Sequence, residues 1–487
     1  MTNYLSTVVR IETQYTDFDW LNPYKTKAEG TAIGTGTFIS NKGHILTCFH
    51  VVAGAVKIWI TIPSIGKEKM EAKIVSAFPY ADIALLKVDN YESEFIKLGN
   101  SDKIEQGETV TVIGYPLGSP TLKISSGVVS GIDGNMIQTD SPINSGNSGG
   151  PLINAAGLLI GINTSKIVSV GVESIGYATQ INTFKVVQDE MMKGTILIRQ
   201  PELGVEFNNL SSFMAEYYGI TDNKSCNTGY HIVHVVKNSP MYNAGVKKGD
   251  ILCSFDKYKV DNFGECYVDW SDEKIHIEDL WYRYKIGDEI PISFWTTNDE
   301  QNKFIKNATL KLTDLTTFYK LIRVQPEFEK VDYEIIGGLV LMNLTINHVY
   351  LFNKSTNMPL NQLCNLSSYL NPSKRNTSAI IVTAVLAGSY FKKTEAIMQG
   401  DIIRKVNGAK VSNLEEFREA IKKLVVKGKK KFITITTKRD TVEAIDIQTL
   451  LTDEEFLIGH FKYHPSITYE HFKTLKKEKA EKKKQKK

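Results

Sequence analysis

The sequence predicts a mainly β protein, with one all-β unit of barrel or sandwich type followed by two copies of a smaller α+β domain. Three observations carry this. The 487 residues are 42% hydrophobic and 10% aromatic, a globular composition that at roughly 150 residues per domain provides for about three domains. From about Gly30 to Ile181, short β-type runs (GTFIS, HILTCF, VKIWITI, KIVSAF, IALLKV, TVTVIGY, KISSGVVSGI, LLIGINT) alternate with turn residues and no long helical pattern intervenes. Beyond this unit a pattern repeats: IVHVV, NSPMYNAGVKKGD and ILCSF return as IIVTAV, AGSYFKKTEAIMQGD and IIRKVNG, with Gly249-Asp250 and Gly400-Asp401 at matching places 151 residues apart.

Each element follows from local pattern. Asn41-Lys42-Gly43 is a hairpin turn signal between two apolar runs. Asn182 to Lys193 reads as a helix closing the first unit, because Phe184, Val187 and Met191 fall on one face. In SNLEEFREAIKKL, Leu414, Phe417 and Ile421 stand at helical spacing, with Ser412 or Asn413 as N-cap. Boundaries near 195–202 and 318–330 give an N-terminal segment 1–29, a first domain 30–194, repeats at 203–317 and 330–452, and a C-terminal extension 453–487. Phe18, Trp20, Leu21 and Tyr24 precede the first expected barrel strand, and are read either as a contact between copies of the chain or as packing on that barrel.

Composition excludes several function classes. The net charge of +4 comes from the tail Lys473 to Lys487, nine Lys against Glu478 and Glu481, which leaves the body at about −3. That body has no basic stripe interleaved with aromatics, so nucleic acid is not its main partner, and the tail reads as solvated and disordered. The longest apolar stretches, such as Ala379 to Leu386, fall short of the ~18 to 20 residues of a membrane span, and the first residues lack the pattern of a secretory signal. No membrane partner is expected. Cys48, Cys226, Cys253, Cys266 and Cys364 form no CxxC pair, a poor disulfide framework that points to a reducing compartment, cytoplasm or nucleus.

The sharpest chemical signal is Gly146-Asn147-Ser148-Gly149-Gly150-Pro151. An acyl-transfer nucleophile needs an exposed oxygen and backbone N–H groups turned toward the developing oxyanion, and glycines permit both; a serine in a glycine-rich stretch is also an ordinary turn. A serine nucleophile needs a base, and the first 200 residues hold only His44 and His50. His44 follows the hairpin signal and reads as solvated. His50 ends HILTCF, where a histidine also serves as packing, and Asp82 directly precedes Ile83-Ala84-Leu85-Leu86, as an orienting carboxylate or a strand cap. The order His50, Asp82, Ser148 on an all-β unit is that of the chymotrypsin-type triad.

With GTGTFIS, LTCFHVV, ADIALLKV, LGNSDKIEQGETVTVIGYPLG, SSGVVSGI, INSGNSGGPL and IGYAT in place, residues 30 to 190 resemble the protease domain of the HtrA/Deg family of serine proteases. The resemblance implies a chymotrypsin-like double β-barrel, the first barrel near 30–95 and the second near 105–180, with the site between them. It makes Ser148 the nucleophile, His50 the general base and Asp82 its orienting group, with the N–H groups of Gly146 and Ser148 as oxyanion hole, and it implies no metal or organic cofactor. Ile143, in Ser141-Pro142-Ile143-Asn144, and Ile162, Asn163 and Thr164, in the segment ending at Ser165, wall the substrate pocket; no acid lies among them, which favours small or medium apolar side chains. One departure stands out: the family usually has a small residue before the histidine, and here it is Phe49, preceded by Cys48.

The two repeats resemble PDZ domains, in which a loop of backbone N–H groups captures a carboxylate and a strand edge accepts a peptide. Gly204, Val205, Glu206 and Phe207 form that loop in the first copy; Gly338 and Leu339, in Ile336-Gly337-Gly338-Leu339-Val340, form it in the second, whose groove is alternatively filled by the chain itself. Two divergent PDZ-like domains without a targeting segment resemble the plant-type Deg proteases. The expected function is an ATP-independent endopeptidase of misfolded or damaged proteins that binds peptide C-termini and assembles as a trimer or multiple of trimers. The alternative is a quiescent chaperone or scaffold that binds peptides through its PDZ domains.

Overall fold

A computed structural model describes residues 4–164, 175–220, 226–297, 303–354 and 358–484. The chain forms two compact units, Met1–Thr16 with Glu29–Phe318, and Asp17–Ala28 with Tyr319–Lys487. The fold is mostly β, as expected. None of the described helices is long and apolar enough to cross a membrane.

The first unit opens with two closed barrels. Strands β1 (Val8–Tyr15), β2 (Gly30–Phe38), β3 (His44–Cys48), β4 (Ala55–Thr61), β5 (Lys69–Phe78) and β6 (Ile83–Lys87) close in the order β1-β2-β3-β6-β5-β4. Strands β7 (Thr109–Gly114), β8 (Lys123–Asp133), β9 (Met136–Thr139), β10 (Pro151–Asn154), β11 (Leu159–Thr164) and β12 (Gly176–Gln180) close as β10-β11-β12-β9-β8-β7. The first barrel thus begins at Val8 and not near residue 30. Val9, Ile11 and Thr13 alternate inward on β1, which pairs with β2 from Val8↔Thr37 to Tyr15↔Gly30 and with β4 on its other side. Besides the short helix Tyr4–Thr7 that leads into β1, the barrels carry α1 (Phe49–Val52) and α2 (Ile181–Met192), the latter burying Phe184, Val187 and Met191 as their spacing predicts.

The first repeat is a sheet ordered β13 (Val205–Asn208), β14 (Tyr230–Val235), β15 (Ile251–Phe255), β16 (Glu289–Thr297) and β17 (Lys303–Lys311), with a short helix α3 (Pro240–Asn243). The insert after Cys266 continues a hairpin, Glu265–Val268 with Ser271–His276, into a helical turn Ile277–Arg283. Arg283 docks this turn on the second barrel, pairing with Asp102 and donating from Nη2 to Gln180 Oε1 (3.0 Å). Cys226 and Cys253 are joined in a disulfide, which corrects the expectation of an unpaired set. The bond ties the segment before β14 to β15, and the 27-residue separation of its partners had hidden it.

The second unit holds the other repeat: β18 (Tyr333–Ile336), β19 (Leu339–Asn343), β20 (Ile380–Val385), β21 (Ile402–Val406) and β22 (Lys430–Thr437) follow one another in the sheet, with helices α4 (Tyr390–Thr394), α5 (Leu414–Ile421), α6 (Ile447–Phe461) and α7 (Ile467–Lys484). The equivalence of the two copies is atomic. Ser239 Oγ accepts the Tyr242 amide at α3 as Ser389 Oγ accepts the Lys392 amide at α4, and Asp250 Oδ2 accepts the Lys247 amide (2.8 Å) as Asp401 Oδ2 accepts the Met398 amide (2.9 Å). Asn413 is the cap of α5, its side chain accepting the Glu416 amide.

Two expectations fail in this unit for packing reasons. Phe18, Trp20 and Leu21 join its hydrophobic core instead of lying on the barrel: Trp20 meets the ring of His348 edge-on at 5.1 Å, and Tyr24 meets Tyr463 at 5.6 Å. His348 is fully enclosed there, and burial pushes its imidazole down to about 3. The lysine tail is helical to Lys484 and not disordered. Tyr469 and Phe472 anchor the start of α7 in the core, and Lys, Glu and Ala then propagate a helix already nucleated.

Cys226→Ser is expected to lower stability by about 2 to 4 kcal/mol, the range for a native disulfide. Urea unfolding without reductant measures it, and unchanged stability would remove the cross-link from the folded chain.

Candidate active site

Residue His50 is delivered by β3, whose five residues are all buried, through the first turn of α1. The register of β3 on β6 ends at Cys48↔Ile83, so the next residues outward, Phe49 and Asp82, face each other and the Phe49 amide donates to the Asp82 carbonyl (3.0 Å). Asp82 has left-handed backbone angles (φ 57, ψ 41), an uncommon state for a residue other than glycine and one that short polar side chains tolerate best. That turn aims its carboxylate at the histidine. Oδ1 accepts the His50 amide (2.9 Å), and Oδ2 accepts both His50 Nδ1 (2.7 Å) and Thr164 Oγ1 (3.1 Å). The Asp82 side chain is 8% exposed and that of His50 45%. With Nδ1 taken by the carboxylate, Nε2 is the ring nitrogen left for chemistry.

Ser148 sits in the loop between β9 and β10. Gly146 (φ 96) and Gly149 (φ 84) take backbone angles that L side chains resist. Asn147 donates its amide to Asn144 O (2.9 Å), Gly150 to Asn147 O (2.9 Å) and Gly149 to Asn163 O (2.8 Å). The loop lies directly on the strand that carries the histidine. A Cβ at Gly149 would stand 2.1 Å from Thr47 Oγ1 and 2.9 Å from the Cys48 nitrogen.

Thr35 ties these parts together. It is fully buried on β2; its amide donates to Ser148 O (2.9 Å), its Oγ1 donates to Gly146 O (2.7 Å) and accepts the Tyr115 amide (3.1 Å), and its carbonyl accepts Thr47 Oγ1 (2.7 Å). Sequence reasoning missed Thr35, Thr47 and the bracing hydroxyl of Thr164.

The remaining sequence candidates fall as follows. Ile162, Asn163 and Thr164 are buried; the Asn163 carbonyl accepts the Gly149 amide and Cys48 Sγ (3.2 Å), so the atoms of Asn163 and Thr164 named here serve the serine loop and Asp82. Ile143 lies against β12, where a Cβ at Gly176 would stand 2.9 Å from its Cδ1. Ser165 lies outside the described residues. His44 is buried and not solvated: β3 enters the core from its first residue, and Nδ1 lies 2.8 Å from Ser40 Oγ. Phe49 is buried beside the site without displacing the His50–Asp82 pair.

Ligand atoms of Cys48, His50 and Asp82 lie within 4.8 Å of one another. Burial, with the nearby Asp82 carboxylate, raises the Cys48 thiol well above its usual range. Cys48 therefore stays a protonated packing residue, a poor nucleophile and a poor metal ligand.

In the first repeat, β13 leads out of Gly204, and Phe207 stacks on Tyr230 at 4.6 Å. In the second, Gly338 precedes β19, which starts at Leu339.

Comparison with known proteins agrees with this geometry. A trypsin-like peptidase domain model matches residues 34–162, and a PDZ domain model matches residues 322–463. Serine protease Do-like HtrA of Bacillus subtilis is 32% identical over 57% of this chain and 64% of its own length. A probable periplasmic serine endoprotease DegP-like of Rickettsia prowazekii is 32% identical over 55% of this chain and 54% of its own. Serine protease Do-like HtrA of Lactobacillus helveticus is 30% identical over 57% of this chain and 68% of its own. The chain belongs to the HtrA family of serine proteases. It spans between half and two thirds of the first two relatives' length. In this HtrA-family chain, the fold brings His50 and Asp82 into contact and lays the Ser148 loop on the strand before His50, with Thr35, Thr47 and Thr164 added to the residues that the motifs single out.

Thr164→Val keeps shape and removes the hydroxyl donated to Asp82. A hydrogen bond to a charged group is worth ~1.5 to 3 kcal/mol, so kcat on casein is expected to fall about 10- to 100-fold with KM little changed, and Thr164→Ser to restore most of it. Equal kcat for Thr164→Val and the unmodified chain would show that the hydroxyl does not brace the carboxylate.

Proposed function

We propose that the chain is an ATP-independent serine endopeptidase that cleaves misfolded or damaged proteins through an acyl-enzyme. The observation that carries this is the His50 Nδ1–Asp82 Oδ2 contact at 2.7 Å beside the glycine-flanked Ser148 loop. Ser148 Oγ attacks the scissile carbonyl carbon while His50 Nε2 takes its proton; Asp82 stabilises the imidazolium and remains ionised. The amides of Gly146 and Ser148 receive the negative oxygen of the tetrahedral intermediate. His50 then gives the proton to the leaving amine as the C–N bond breaks, and the same groups, with water as nucleophile, hydrolyse the Ser148 ester.

The pocket around Ile143 and Ile162 contains no acid and suits small or medium apolar side chains before the cut. The PDZ-like repeats bind peptide C-termini or govern assembly, and assembly as a trimer or multiple of trimers belongs to this proposal. For compartment, the Cys226–Cys253 disulfide is a bond that oxidising surroundings maintain. The name of the Rickettsia relative places that protein in the periplasm. Both stand against the cytoplasmic or nuclear expectation.

Casein cleavage by the purified chain and by Ser148→Ala tests the proposal. Loss of the serine is expected to lower the rate by on the order of 10⁴ to 10⁶, and a fluorophosphonate probe to label Ser148 alone. Peptide binding with neither cleavage nor labelling would favour the quiescent chaperone.

A further inference from the structure

The two repeats present the same loop and differ in what fills it. Gly204 and Gly338 are equivalent: a Cβ at either would stand 2.2 or 2.3 Å from the Cβ of Ser239 or Ser389. In the first repeat, the hydrogen bonds at this loop engage its carbonyls, Val236 N donating to Gly204 O (2.8 Å) and Met241 N to Leu203 O (3.3 Å). Among the described residues β13 pairs with β14 only, so its outer edge is that of an edge strand.

In the second repeat both features of a peptide site are taken by the chain. β19 is paired on both sides, with β20 and with β18, which runs antiparallel to it from Tyr333↔Met342 to Ile336↔Leu339 and ends at the loop. That is where an added peptide strand would lie, carboxyl end at the loop amides. A carboxylate is there too. Glu454 of α6 is fully buried; its Oε2 accepts the Gly337 amide (2.5 Å), and its Oε1 accepts the Tyr463 hydroxyl (2.8 Å). Leu450 and Leu457, one turn to either side on α6, close over the same glycines, 3.3 and 3.2 Å from where their Cβ atoms would be. A carboxylate on a backbone amide with apolar groups beside it has the chemistry of a peptide C-terminus. A buried carboxylate is tolerated only when hydrogen-bonded; burial raises the Glu454 carboxyl to about 7, and the Tyr463 hydroxyl and Gly337 amide oppose that rise.

We propose that Glu454 is an intramolecular ligand of the second repeat's carboxylate-binding loop, so that this repeat is closed by its own chain and peptide C-termini are taken by the first repeat alone. The proposal rests on the reading of both repeats as peptide-binding modules.

The test uses the full chain carrying Ser148→Ala, so that peptide is not consumed, at pH 8. A photo-cross-linking peptide with a free apolar C-terminus is expected to label the segment around residues 203–208 and to leave 333–343 unlabelled, while its C-terminally amidated form labels neither. Label on 333–343 would overturn the proposal, and this arm does not depend on any change at Glu454. In a second arm, Glu454→Ala is expected to melt several degrees lower and to be restored by sodium propionate, which can occupy the vacated loop, but not by propionamide or sodium chloride. Equal responses to all three would show that the loop does not select a carboxylate. No label on either loop would sink the peptide-capture reading itself, and the propionate arm would then decide the Glu454 assignment.

Discussion

The placing of the Ser148 loop against the strand before His50 depends on one buried threonine. Thr35 belongs to the first barrel, yet three of its four hydrogen bonds reach the loops of Tyr115 and Ser148 in the second, and the fourth reaches Thr47, three residues before His50. Each such bond contributes only about 0.5 to 1.5 kcal/mol net. Their value here is geometric. Groups drawn from two separately closed barrels need both to be indexed to one point, and a single hydroxyl with a single peptide unit supplies that index.

Much of this was legible in the sequence, and what was not has physical reasons. His50, Asp82 and Ser148 stood out as candidates because few residue types perform acyl-transfer chemistry and each sits beside a strand or glycine signal. Thr35, Thr47 and Thr164 could not be found so directly, because threonine is common in strands and their partners lie far away in sequence. One sign was present. Thr35 is a polar residue buried on β2 beside glycines, and a buried hydroxyl on a barrel strand generally has a partner, as that of Thr35 does and that of the equally buried Thr37 does not. β1 was overlooked although Val9, Ile11 and Thr13 carry the two-residue period. The residues after it break that pattern before β2 begins, and the start of the barrel was placed after the break.

The repeats show how a shared frame diverges. Asp250 and Asp401 hold the same turn, but Asp250 also accepts a hydroxyl from Thr296 (2.8 Å), whereas Asp401 faces Arg439 (2.6 Å) and Gln362 (3.0 Å). Burial raises the carboxyl of Asp250 above its usual range. The backbone conformation is kept while the charge balance around it has changed, and from sequence only Gly-Asp is visible.

The placement of Asp17–Ala28 in the second unit, between β1 and β2 of the first, bears on how the chain is made. Phe18, Trp20 and Leu21 leave the ribosome among the earliest residues, but the core that receives them contains Leu366, Tyr369 and Ile402. Until those are synthesised, an aromatic excursion must stay exposed on a hairpin whose two flanking strands can already pair. The nascent chain thus carries these apolar residues without their final core for most of its translation. For the same reason, one nick near residue 318 releases neither unit whole: the part left with the barrels keeps the excursion, and the other loses a piece of its core.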